Sequence, residues 1–179
     1  MNENNVIKIL KNELEFSDLS INKLKIFHDC LLEHNKKYNL ISKSTEKSIC
    51  FRHILDSVLL LRFLDSKIAT KIADFGSGAG FPGLILAIQS NSSKFHVKLY
   101  EKSSVKRNFL NYMKIKLNLK NIEVKGDIYE DNITSDIIIC RAFKKLKEII
   151  RISRETIKKP HKIIILKGKN AQFEIKNVS

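Results

Sequence analysis

Cysteine is scarce in this 179-residue chain and badly placed for cross-linking: Cys30, Cys50 and Cys140 are odd in number, far apart and form no C-x-x-C pair. A disulfide framework is excluded, and nothing suggests a zinc site or any other metal. No apolar run approaches the eighteen or so residues of a membrane span. Met1-Asn2-Glu3-Asn4 does not open a secretory leader, so the expectation is a cytoplasmic protein with no membrane partner. Acidic residues are few, 19 against 33 Lys and Arg, for a net charge of +14. Such a surplus points to a polyanionic partner of the nucleic-acid kind. A Lys-, Asn- and Ile-rich composition could also arise from AT-rich coding, but the charge is not evenly spread. Residues 141–169 carry eleven basic residues against only Glu148 and Glu155, which favours a basic face.

Glycine is also sparse, and four of the six glycines fall within residues 76–83, in the stretch K-I-A-D-F-G-S-G-A-G-F-P-G from Lys71 to Gly83. An apolar run reaches Asp74, a glycine-crowded turn follows, and Leu84-Ile85-Leu86-Ala87-Ile88 can continue as a helix. Gly76, Gly78 and Gly80 allow positive φ and close approach of a ligand, and Pro82 suits the first helical turn. The turn is expected to offer bare amides and a positive helix end to an anionic group. Gly78 to Gly83 reads G-x-G-x-x-G, the dinucleotide fingerprint. With Asp74 two residues ahead of the first glycine, however, the register D-x-G-x-G-x-G resembles the cofactor loop of class I S-adenosylmethionine (SAM) methyltransferases. No G-K-[S/T] ending is present, which excludes a P-loop.

The rest of the chain supports an α/β reading around this loop. Val6 to Leu14 forms one amphipathic stripe. Ser20 can cap a second helix through Leu32, and Ser44 or Thr45 a third running through His53 to Leu64. Residues 1–66 are therefore expected to form a helical extension, and residues 67–179 a single SAM-binding core. Within that core, strands are expected at Lys71–Phe75, His96–Glu101, Asn121–Lys125, Asp136–Cys140 and Lys162–Lys167. They alternate with helices at Gly83–Gln89, Val105–Leu117 and Leu146–Ile157. This alternation predicts a doubly wound, mostly parallel, Rossmann-like sheet. Its ligands should sit beyond the strand carboxyl ends, where Asp74, Glu101, Asp127, Arg141 and Lys167 fall.

Glu101 ends the second strand, where a carboxylate can accept from ribose hydroxyls, and Asp127 could accept from an adenine amino group flanked by Ile128 and Tyr129. Arg141 follows the apolar strand Ile137-Ile138-Ile139-Cys140 and is expected to reach into the crevice. Cys140 itself could be a thiolate nucleophile for pyrimidine C5 methylation, though inert packing is the simpler reading. Cys140-Arg141-Ala142-Phe143 lacks the Asn/Asp-Pro-Pro-aromatic pattern of exocyclic-amine methylases. His53 and Asp56 are three residues apart and can share a helix face. They could act as an acid/base pair, but a helix contact or substrate positioning is simpler.

Together, Tyr38-Asn39-Leu40, Arg52-His53-Ile54-Leu55-Asp56-Ser57, the stretch Asp74 to Gly83, Lys106-Arg107-Asn108-Phe109-Leu110, Arg141-Ala142-Phe143 and Leu166-Lys167-Gly168 resemble the 16S ribosomal RNA guanine-N7 methyltransferases, the glucose-inhibited division protein B family. The resemblance runs from about Leu24 to Gly168. It implies SAM as donor and guanine 527 of small-subunit rRNA, free or in the subunit, as acceptor. It also implies cofactor contacts at Gly76, Phe81, Ile128, Tyr129 and Arg141, to which Gly78, Glu101 and Asp127 are added from the loop reading. Arg52, His53, Asp56, Arg141 and Lys167 are positioning candidates.

Two departures stand out. Asp127 occupies a position where the family carries Arg, and the family continues for two further strands beyond Gly168. A monomer is expected, with dimerisation possible along the exposed edge of the fifth strand. A shortened RNA-binding remnant and an NAD-dependent oxidoreductase are the competing readings. The latter lacks a Tyr-x-x-x-Lys hydride-site pair.

Overall fold

The computed structural model describes residues 3–46, 53–64, 70–90, 94–168 and 170–177. Its centre is β1 (Thr70–Phe75), whose residues from Ile72 onward are all buried. Such a strand belongs in the middle of a sheet covered on both faces. Beside it run β2 (Phe95–Tyr100), β3 (Ile122–Lys125), β4 (Ile137–Arg141) and β5 (Lys162–Leu166), in the order β3-β2-β1-β4-β5. Every pairing is parallel. The order reverses at β1, so the crevice between β1 and β4 is the switch point at which such sheets take ligands.

Alternation along the strands divides the core in two. Ile72 and Ile139 face one apolar cluster, shared with α2 (Asp18–Tyr38), α5 (Gly83–Gln89) and α6 (Ser104–Lys116). Ala73, Phe75, Ile138 and Cys140 face the other, with Ile149 and Ile152 of α7 (Leu146–Thr156). From residue 67 onward, the strands and helices expected from the sequence all appear, with bounds shifted by at most one residue. A short α8 (Ala171–Lys176) and a 3-10 turn over Ile128–Glu130 were not foreseen. β5 is an edge strand with Ile163 to Leu166 half-buried.

The N-terminal helices α1 (Glu3–Asn12) and α2 share the first cluster, contributing Val6, Leu10, Ile21, Leu24, Phe27 and Leu31. Each fully buried side chain of this size contributes roughly 1.5–3 kcal/mol, so these helices belong to the same core as the α5–α6 face. The expected cap at Ser20 is corrected. Ser17 caps α2, accepting from Ser20 N at 3.1 Å, and the Ser20 hydroxyl turns inward to donate to Ile88 O at 3.2 Å. Both serines could cap on sequence alone, and packing against α5 decides between them. The third expected helix is represented by α3 (Lys43–Glu46) and α4 (Leu55–Leu59), followed by a 3-10 turn over Leu60–Phe63. Residues 47–52 between them, Arg52 included, lie outside the described residues. Among the described residues no helix is long and apolar enough to cross a membrane.

Candidate active site

β1 hands the chain to a turn that β2 completes. The amides of Gly76 and Ser77 both donate to Tyr100 O, at 2.9 and 3.0 Å, so the ladder runs past the strand's end. Gly78 N donates to Glu101 Oε2 at 2.9 Å, and the amides of Gly80 and Phe81 donate to Ser77 O. The expectation of bare amides is thereby corrected: Tyr100 O and Glu101 at the end of β2, and the turn's own Ser77 O, engage them. The turn contributes shape instead. Gly76 has φ +74°, and a Cβ there would fall 2.6 Å from Phe143 Cδ2. The Arg141-Ala142-Phe143 turn therefore closes against the glycine turn, with Ala142 in the left-handed region at φ 48°.

Asp74 supports the turn from below. Fully buried, it accepts from Gly83 N through Oδ2 at 2.9 Å. Its backbone oxygen accepts from the Ser77 hydroxyl at 3.0 Å. Burial pushes its carboxyl up to about 7, against the opposing effect of the Gly83 hydrogen bond. A Cβ at position 83 would lie 2.6 Å from both Asp74 Oδ2 and Leu99 Cδ2, so glycine here is a matter of space. Asp74 ties β1 to α5 and does not reach the cavity.

That cavity, about 440 Å³, opens between the turn and the carboxyl ends of β2, β3 and β4, a size suited to a cofactor. Gly76, Gly78, Phe81, Glu101, Ile128 and Arg141 all line it, as does His53. Glu101 accepts from Gly78 N and, through Oε1, from Ser103 N at 2.8 Å. Each carboxylate oxygen keeps a lone pair for a hydroxyl. On the opposite wall the Arg141 guanidinium hydrogen-bonds His53 Nδ1 and lies over the Phe81 ring, 5.9 Å from its centroid. The Ser57 hydroxyl donates to the backbone oxygen of His53 at 2.6 Å.

Other candidates point elsewhere. Asp127 caps the turn at Ile128–Glu130, accepting from Tyr129 N at 3.2 Å. It pairs with Lys102 at 2.7 Å, and that lysine holds its carboxyl below the usual range. Tyr129 donates its hydroxyl to Glu155 Oε2 at 3.0 Å. Lys167 donates to Glu174 Oε2 and to Lys144 O, both at 2.8 Å. Asp56, in the first turn of α4, is likewise absent from the cavity wall. Cys140 is buried, and burial pushes its thiol up to about 12. It packs in the second apolar cluster and is absent from the cavity wall, the arrangement of a packing thiol.

Sequence reasoning missed Tyr100, Lys106 and Phe143 as lining residues, together with Leu40 and Ile41. The Tyr38-Asn39-Leu40 motif was the available signal for the last pair. Among the described residues no cluster of His, Cys, Asp or Glu is placed to hold a metal.

A parallel sheet with its switch point at β1, a glycine turn tied to an acidic residue at the end of β2, and an apolar-walled cavity between them define a class I SAM-dependent methyltransferase. The residues fit that cofactor: Glu101 faces the cavity with acceptor capacity, Ile128 supplies an apolar wall, and Gly78 leaves its inner side open, a Cβ there meeting nothing closer than 3.9 Å.

The fold is shared with a SAM-dependent O-methyltransferase from Thermotoga maritima, at TM-score 0.55 and 22% identity, over 69% of this chain and 47% of that one. The chain belongs to the GidB family, rRNA small subunit methyltransferase G, whose model matches residues 20–179. Proteins named ribosomal RNA small subunit methyltransferase G are similar to it. The one from Mycoplasma capricolum is 37% identical over 88% of this chain and 68% of its own length. The one from Mesoplasma florum is 38% identical over 95% and 73%. The chain is thus a SAM-dependent rRNA methyltransferase.

Proposed function

We propose that this chain methylates N7 of a guanine in 16S rRNA, guanine 527 by the family resemblance, in the cytoplasm. The observation that carries the choice of atom is what stands at the end of β4. An arginine, Arg141, faces the cavity there, while the adjacent thiol of Cys140 is buried and held protonated. A guanidinium offers donors only and stays charged, so it can hold an acceptor edge such as guanine O6 but cannot remove a proton. Guanine N7 has no proton to remove. Its lone pair is the nucleophile, and alignment supplies most of the rate enhancement. SAM supplies the electrophilic methyl group.

The chain's own residues bind and orient. Glu101 and Ile128 hold the nucleoside part, the glycine turn sets the depth, and Phe81 and His53 fix Arg141. The basic outer face of α7, with Lys145, Lys147, Arg151, Arg154 and Lys158 along it, supplies non-specific attraction for the phosphate backbone.

The test is incubation with SAM and either small-subunit rRNA or intact subunits, followed by borohydride and aniline cleavage at N7-methylguanine. A single new cleavage at guanine 527 is expected. Methyl incorporation without aniline-sensitive guanine would overturn the choice of atom.

A further inference from the structure

Between α2 and α6, next to the cavity, a group of rings runs from the core out to the surface. His34 stands at its centre, with ring centroids 4.8 Å from Tyr112, 5.3 Å from Phe109 and 6.4 Å from Tyr38. Phe109 is buried, whereas Tyr112 is 37% and Tyr38 54% exposed, so two ring surfaces face water. The arrangement is fixed in advance. His34 Nδ1 lies 2.8 Å from Cys30 O, and a carbonyl only accepts, so that nitrogen carries the proton and the ring is tethered to its own helix. Lys116 sits 5.3 Å from the Tyr112 centroid and donates to its hydroxyl at 2.9 Å.

The surroundings are cationic. α6 carries Lys106, Arg107, Lys114 and Lys116 with no acidic residue, and α2 ends in Lys36 and Lys37. The group also adjoins the site. Leu40 and Ile41, just beyond Tyr38, line the cavity, as does Lys106, which precedes Tyr112 by about 9 Å of helix at 1.5 Å per residue.

We propose that Tyr38, His34 and Tyr112 form a stacking platform for unpaired bases of the RNA that flank the target guanine. The proposal rests on the reading that ribosomal RNA is the substrate. Exposed aromatic faces bordered by cations are how single strands are bound, because stacking needs splayed bases and the cations hold the phosphates between them. A paired helix presents no such faces. The platform then explains how a chain whose cavity holds little beyond a cofactor and one base keeps the rest of a loop in register.

The test compares the full chain with Tyr38→Leu, Tyr112→Leu and the corresponding Phe variants. Leucine keeps apolar bulk while removing the π face, and phenylalanine keeps the face. Binding is measured to a single-stranded oligoribonucleotide carrying the target guanine and to its duplex form, alongside S-adenosylhomocysteine affinity and melting temperature. Each Leu variant is expected to bind the single strand roughly tenfold more weakly, with a matching rise in KM for RNA. The Phe variants should stay near wild type, and duplex binding and S-adenosylhomocysteine affinity should hold. Single-strand binding unchanged in both Leu variants overturns the platform, as does an equal loss of single-strand and duplex binding, which would mark a contact that does not depend on splayed bases. A wild-type chain that transfers no methyl to any RNA fails differently, by removing the reading beneath the proposal.

Discussion

The glycine turn and the outer face of α7 use their carboxylates differently. At the turn, carboxylates hold backbone amides: Asp74 holds Gly83 N, and Glu101 holds Gly78 N and Ser103 N. Along α7 they hold cationic side chains. Glu148 pairs with Lys144 and Glu155 with Arg151. Hydrogen bonds from backbone N–H groups to a carboxylate fix chain geometry, because the donors cannot rotate away. Exposed ion pairs between long side chains are individually weak and rearrange readily. The turn is therefore built to a fixed shape around a small molecule, and the α7 face presents movable charge to a larger one.

The sharpest way to break this contrast is at its meeting point. Arg141→Ala should lower methyl transfer by about a hundredfold or more, the scale of losing a preorganised cationic donor, with the circular dichroism spectrum unchanged. Arg141→Lys should not restore it, since an ammonium lacks the planar fork. Near-wild-type turnover in either variant would end the role given to this residue. On the movable side, replacing Lys145, Lys147, Arg154 and Lys158 together with Gln should weaken RNA binding and flatten its salt dependence. The log–log slope should fall by about 0.7 for each single-strand phosphate that is no longer neutralised. S-adenosylhomocysteine affinity should not move. An unaltered slope would remove α7 from the interface.

On the fixed side, Gly83→Ala should cost about 1–3 kcal/mol by overpacking, read as a fall of several degrees in melting temperature. A comparable effect is the pH dependence of Asp74. Its folded pKa, about 7, lies above the ordinary 3.8, so the native state binds the extra proton, and stability from this group falls as pH rises between those values. The melting temperature of Asp74→Asn should decline less than that of wild type from about pH 5 to about pH 8. Parallel declines would show that the buried carboxyl is not the source.

Much of the fold was legible because its signals are local. Apolar runs such as Ile137-Ile138-Ile139, and the glycine turn after Asp74, fix strands and their ends within a few residues of chain. The expected site residues that line the cavity, Gly76, Gly78, Phe81, Glu101, Ile128 and Arg141, lie at strand ends or in the turns that follow them. Asp127, Tyr129 and Lys167 satisfy the same rule, but each is drawn aside by a partner: Lys102, Glu155 and Glu174. The Arg141–His53 hydrogen bond joins residues 88 apart, and no periodicity encodes it. The engagement of the loop amides was hidden for the same reason, since it depends on how far β2 runs alongside β1.

The meeting of Asp74 with Gly83 has a consequence for how this loop can vary through descent. A longer acid at 74 would drive into the α5 backbone, and any side chain at 83 would strike the carboxyl and Leu99. A bulkier side chain at one position is best accommodated by a smaller one at the other. Nine residues apart in the chain, the two sites are coupled through this one contact.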